Sequence, residues 1–136
     1  CLGAILASAA LRLLFPEHPT LGATLPAGSV LQSFLLEFLL TAFLMLVILS
    51  TTGGPVVQRP FAGLAIGAVI ALEAMFAGPI CGASMNPARS LGPALISGQR
   101  QHLWAYLVAP IAGALVGTLV AGLLRDPSSN SSEAAA

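Results

Sequence analysis

The sequence predicts an all-α membrane bundle with one re-entrant half-helix, and three observations carry that prediction. Of 136 residues, 57% are hydrophobic and only 7% charged, whereas a soluble domain carries about a quarter charged residues because its surface faces water. Apolar runs at Val30–Thr51, Phe61–Phe76 and Leu103–Leu124 read as spans of the hydrocarbon. Between the second and third of these, a small-residue stretch breaks the helical pattern and Asn86-Pro87 restarts it.

Taken in order, residues 1–15 are an apolar run rich in Ala and Leu, ending in Arg12 and then Pro16-Glu17-His18-Pro19. The run is short of the roughly 20 residues a spanning helix needs and starts on Cys1 with no basic flank, which argues against a signal peptide. It is read as the latter part of a transmembrane helix. Residues 16–29 are a loop, punctuated by Pro16, Pro19, Pro26, Gly22 and Gly28. Residues 30–51 span, a short polar connection runs from Gly53 to Pro60, and residues 61–76 span again. Ala77–Met85 is interrupted by Pro79 and reads as non-helical. Asn is a strong N-cap and Pro is favoured at the first helical position, so a new helix begins at Pro87 and runs to about Ile96. At 1.5 Å per residue it covers roughly 15 Å, half the hydrocarbon thickness. Residues 103–124 form the last span, residues 30–127 being read as one repeat of the fold. The Ser/Ala-rich tail, residues 128–136, reads as disordered.

Small residues recur every fourth position at Gly63, Gly67 and Ala71 and again at Ala109, Gly113, Gly117 and Ala121, as helices that approach closely in lipid require. Arg59 and Arg125 fall on one side of the membrane and Arg12 and Arg100 on the other, so charge does not orient the chain. Net charge is zero and no lysine is present, which excludes the basic stripe of a nucleic-acid binder. Cys1 and Cys81 make neither a disulfide framework nor a metal pair, and no cofactor or metal is expected. An intramembrane enzyme would need a nucleophile–base or paired-carboxylate spacing. Glu37, Glu73 and Cys81 supply none, and His18 and His102 lie in a loop and at a helix end.

The segment Gly78–Ala94 carries the functional signal. Irregular backbone at membrane depth is tolerated only where it is buried in protein or lines a watery cavity. Ala77–Met85 is therefore expected to present carbonyl oxygens, those of Gly82, Ala83 and Ser84 among them, to a lumen. The half-helix N-terminus behind it carries about half a positive elementary charge, which repels cations and lets neutral hydrogen-bonding molecules pass. Asn86 can cap the helix through its carboxamide oxygen and keep its NH2 as a donor. Arg89 costs about 2.5–3.5 kcal/mol in a hydrophobic bundle on insertion scales, so it should face a polar lumen.

Asn86-Pro87-Ala88, followed by Arg89-Ser90 and Gly92-Pro93-Ala94, resembles the second signature loop of the aquaporin, or major intrinsic protein, family. The likeness runs along the whole chain, through Glu37, His102, Tyr106 and Ala109-Pro110. It implies the C-terminal half of an inverted-repeat bundle, with Arg89, Ala83 and Ala74 as three walls of a selectivity filter and Glu37 bracing the pore loop. Ala74, Ala83, Phe76-Ala77-Gly78-Pro79 and Tyr106-Leu107 resemble the nodulin-26-like branch and its bacterial relatives, which pass water, glycerol and small uncharged hydroxylated solutes including metalloid acids. Ser90 and Ala94 are similar to the residues of water-type members. Glu73 either faces the lumen or pairs with the other half. Cys81 reads as a packed thiol or a mercurial-sensitive one, and Trp104 as a belt aromatic.

The resemblance implies a passive channel for water or small uncharged solutes, set in the cell membrane and assembled as a homotetramer with one pore per subunit. The family pore uses two signature loops and this sequence shows one, so an upstream half with another Asn-Pro-Ala-like loop is the expected partner. The competing expectation is a non-transporting scaffold or inactive half-channel.

Overall fold

The computed structural model of the protein describes residues 1–53 and 60–124. Arg59, Arg125, most of the connection before Pro60 and the tail at 128–136 lie outside the described residues. Those described form five helices, α1 (Leu2–Leu14), α2 (Val30–Thr52), α3 (Ala62–Cys81), α4 (Pro87–Ser97) and α5 (Leu103–Leu124), with no strand among them. Helices α2, α3 and α5 are each long and apolar enough to cross a membrane. Large apolar side chains such as Leu35, Phe43, Leu64, Met75, Leu115 and Leu119 stand exposed on them, as hydrocarbon permits and water does not. The chain is an integral membrane protein.

The helix ends on either side of the first loop have local contacts. After α1, Arg12 Nη1 donates to the carbonyls of Pro16 at 2.9 Å and His18 at 3.0 Å, a cation at a helix C-terminus. Ser29 caps α2, its hydroxyl accepting the Gln32 N–H at 3.1 Å. In the loop between, the Leu21 N–H donates to His18 Nδ1 at 3.0 Å and Leu21 is buried.

The bundle is organised around α2. Its buried residues Ser33, Glu37, Leu40 and Thr41 recur at helical spacing. Its largest helix contact is with α5, and α3 packs on its flank; α4 is held between α1 and α5. The α2–α5 seam depends on two glycines. A Cβ at Gly113 would collide with the Phe38 carbonyl, and one at Gly117 with that of Ala42. Gly92 is a third close approach, where a Cβ would lie 2.5 Å from the Ala4 oxygen of α1. The other small-residue series behaves differently: Gly63 and Gly67 on α3 have nothing within 4 Å of a Cβ position. That face is open among the described residues.

Helix α3 also ends later than the sequence suggests. It continues through Pro79 to Cys81, five residues beyond Phe76, so the irregular backbone is Gly82–Asn86 and not Ala77–Met85. Proline lacks only its own N–H and so deprives one carbonyl, that of Met75, of its partner; the turns on either side survive. Gly82 ends the helix, its φ of 90° being left-handed and its N–H bonded to the Gly78 carbonyl at 2.9 Å.

Candidate functional site

Two helix termini and a five-residue crossover make the site. Gly82, Ala83 and Met85 have φ of 90°, 40° and 50°, three left-handed residues within four. For alanine and methionine such backbone costs about 1–2 kcal/mol each, so the surroundings must hold it. Glu37 does so. It is wholly buried on α2; its Oε1 accepts the Ser84 N–H and its Oε2 the Met85 N–H, each at 2.7 Å. These two bonds satisfy amides that the broken backbone leaves without helical partners.

The same contacts orient the other edge of the chain. With no cis bond among the described residues, the N–H and C=O of one planar peptide point in opposite directions. The Ser84 and Met85 N–H groups turn toward Glu37, so the carbonyls of Ala83 and Ser84 turn away from it.

Helix α4 begins immediately afterwards. Asn86 is extended (φ −151°, ψ 110°), and its Oδ1 accepts the N–H groups of Ala88 at 2.9 Å and Arg89 at 3.3 Å, with Pro87 at the first helical position. The carboxamide NH2 is left free of capping. Asn86 and Arg89 are both exposed, while Ser90, Gly92 and Ala94 are buried. At 11 residues, α4 is too short to cross a bilayer. Beneath the crossover, an apolar cavity of about 230 Å³ is lined by Leu44, Ile48, Met85, Pro87, Pro110 and Ile111 among others.

A broken span braced by a buried glutamate, an Asn-capped half-helix and an exposed arginine one turn in make a combination specific enough to compare. Residues 1–121 match the sequence model of the family described as Major intrinsic protein. The chain belongs to that family. It is 50% identical over 125 residues to aquaporin NIP1-1 of Oryza sativa subsp. japonica, covering 91% of this chain and 44% of that protein. It is 47% identical to Nodulin-26 of Glycine max over 125 residues, 91% of this chain and 46% of the relative. Aquaporin NIP2-1 of Arabidopsis thaliana is 45% identical over 131 residues, again 46% of its length. The chain thus spans a little under half the length of these curated relatives, and its likeness is to the nodulin-26-like aquaporins.

In this major intrinsic protein the expected site residues do not all gather. Asn86, Pro87, Ala88 and Arg89 open α4, with Gly82, Ala83 and Ser84 just before them and Glu37 behind. Ala74 stands apart, exposed on α3, and α3 does not pack on α4. Glu73, its neighbour, is turned inward, with Oε2 buried and unpartnered among the described residues. Cys81 is wholly buried, its thiol directed to the Ala77 carbonyl at 3.5 Å. Trp104 is exposed and its ring lies 5.7 Å from that of Phe34.

One residue escaped the sequence reading. Thr24, in the loop between α1 and α2, donates from Oγ1 to Ser90 Oγ at 2.7 Å, a buried contact across 66 positions. Local periodicity holds no signal for it. The only hint in the sequence is a threonine among prolines and glycines.

Proposed function

We propose that this chain forms one side of a transmembrane channel for water and small uncharged solutes, and that it is the C-terminal half of such a channel. The observation that carries the reading is the Glu37-braced crossover. It turns the Ala83 and Ser84 carbonyls away from α2 and delivers the chain to an Asn-capped helix start with Arg89 exposed. A permeating molecule would trade hydration for carbonyl acceptors on one side and Asn86 and Arg89 donors on the other, and would slide along the apolar wall of Leu44, Ile48 and Ile111. The positive end of α4 and the guanidinium disfavour cations. Nothing is chemically transformed, so the reading is of a conduit and not an enzyme.

On this reading Arg89, Ala83 and Ala74 are three walls of the filter, with Ala74 facing Arg89 across the space between α3 and α4. A small apolar residue at position 74 gives a wide opening, which suits glycerol and uncharged hydroxylated solutes, metalloid acids included, as well as water. A second half with its own half-helix completes the pore, and four such subunits assemble in the cell membrane. Similarity to proteins named aquaporins supports the class. Stopped-flow swelling of proteoliposomes holding the intact protein tests it: water and glycerol fluxes should exceed those of empty vesicles, and equality of both would end the channel reading.

A further inference from the structure

Behind the start of α4 runs a chain of hydroxyls that the channel reading leaves without a task. Thr24 Oγ1 donates to Ser90 Oγ at 2.7 Å, the Ser90 and Ser84 hydroxyls are 2.6 Å apart, and Ser84 Oγ donates to the Asn86 carbonyl at 2.9 Å. A hydroxyl has one proton to give. Thr24 spends its proton on Ser90 and Ser84 spends its own on Asn86, so the middle bond must run from Ser90 to Ser84. The relay has one direction, and each member polarises the next. All three residues are buried: Thr24 is 6%, Ser84 7% and Ser90 0% exposed.

The relay ends on a carbonyl that is also held by the Ser90 N–H at 3.2 Å. A carbonyl oxygen has two lone pairs, and both are engaged here. The Asn86 main chain is thereby fixed in the extended conformation from which its side chain caps α4. Turning that peptide would release the cap and swing the first turn that bears Arg89. The loop carrying Thr24 is itself seated on the crossover. The Thr24 methyl covers Gly82, where a Cβ would come within 2.9 Å of it, and the Ala27 N–H donates to the Ile80 carbonyl near the end of α3 at 3.0 Å.

We propose that Thr24 is a positioning residue for the filter, acting through Ser90 and Ser84 to set the orientation of Asn86 and Arg89, so that the connecting loop helps determine which neutral solutes pass. The inference rests on the channel reading and adds to it a residue remote in sequence that touches neither Asn86 nor Arg89 directly. Thr24→Val keeps the shape and the methyl contact on Gly82 but removes the proton donor; Thr24→Ser keeps the donor. Ser90→Ala removes the middle link from the other side.

The test is the ratio of glycerol to water flux in proteoliposomes of the intact protein, measured for wild type, Thr24→Val, Thr24→Ser and Ser90→Ala at matched amounts of folded protein. Thr24→Val is expected to shift the ratio by about fivefold, the equivalent of one net hydrogen bond. Thr24→Ser should restore it, and the Thr24→Val/Ser90→Ala double variant should be no worse than the single ones, as members of one chain behave. A wild-type ratio in Thr24→Val overturns the proposal while leaving the channel intact. Should Thr24→Val not be recovered folded, Ser90→Ala decides alone, and an unchanged ratio there overturns it equally. Wild-type vesicles no more permeable than empty ones would sink the channel reading itself, a separate and recognisable result.

Discussion

Glu37 and Met85, 48 positions apart in the chain, are joined by a hydrogen bond of 2.7 Å from the Met85 N–H to Oε2. Its twin, from Ser84 to Oε1, has the same length. Together they hold the left-handed backbone in place. Glu37→Gln keeps the size but offers only one acceptor and sets an NH2 against a main-chain N–H. It is expected to lower stability by about 1–3 kcal/mol, the cost of leaving a buried main-chain N–H without its acceptor. Thermal unfolding of the detergent-solubilised protein checks this; a melting curve superimposable on wild type would contradict the bracing.

The two glycine series should respond in opposite ways. Gly113→Ala or Gly117→Ala pushes a methyl into the main chain of α2 and is expected to cost about 1–3 kcal/mol by overpacking. Gly63→Ala and Gly67→Ala enter open space and should leave the melting temperature of the isolated subunit unchanged or raised, since alanine favours the helix. Unfolding monitored by circular dichroism ranks the four; equal losses in both series would remove the distinction drawn between the two faces.

Adjacent positions of the crossover should also diverge. Gly82 has φ of 90° and Thr24 Cγ2 lies 2.9 Å from where a Cβ would sit, so Gly82→Ala combines strain with collision and is expected to destabilise by about 2–3 kcal/mol. Ala83 already bears the left-handed cost at φ of 40°. Ala83→Gly relieves that strain and gains unfolded-chain freedom in nearly equal measure, so a net change within about 0.5 kcal/mol is expected. Chemical denaturation of both variants in one detergent gives the comparison, and a larger loss in Ala83→Gly would reverse the assignment.

Ala74→His tests the assigned filter wall. If Ala74 and Arg89 line one filter, as proposed, an imidazole at position 74 narrows it, so glycerol flux is expected to fall severalfold more than water flux. Parallel loss of both in the swelling assay would move position 74 off the wall.

How much of this was legible beforehand divides by the range of the interaction. The apolar runs and the Asn86-Pro87 restart are local signals, and they point to the all-helical class and to the capped start of α4. The end of α3 is harder to place, since Pro79 reads as a breaker while the actual stop signal, left-handed Gly82, sits three residues on. The Gly63 and Gly67 spacing resembles that of Gly113 and Gly117, and sequence alone does not say which face finds a neighbour. The Thr24–Ser90 contact depends on where a loop lands across the bundle, which no local pattern encodes.

The glycine seam between α2 and α5 has a mechanical consequence. Phe38 and Ala42, whose main chain receives Gly113 and Gly117, lie one and five residues after Glu37 on α2. The seam thus sets the height at which the carboxylate meets the loop. A slip of one turn between these helices, about 5.4 Å, exceeds anything a hydrogen bond survives. The seam is therefore a stiff strut rather than a hinge, and the register of α2 against α5 is also the register of the carboxylate against Ser84 and Met85.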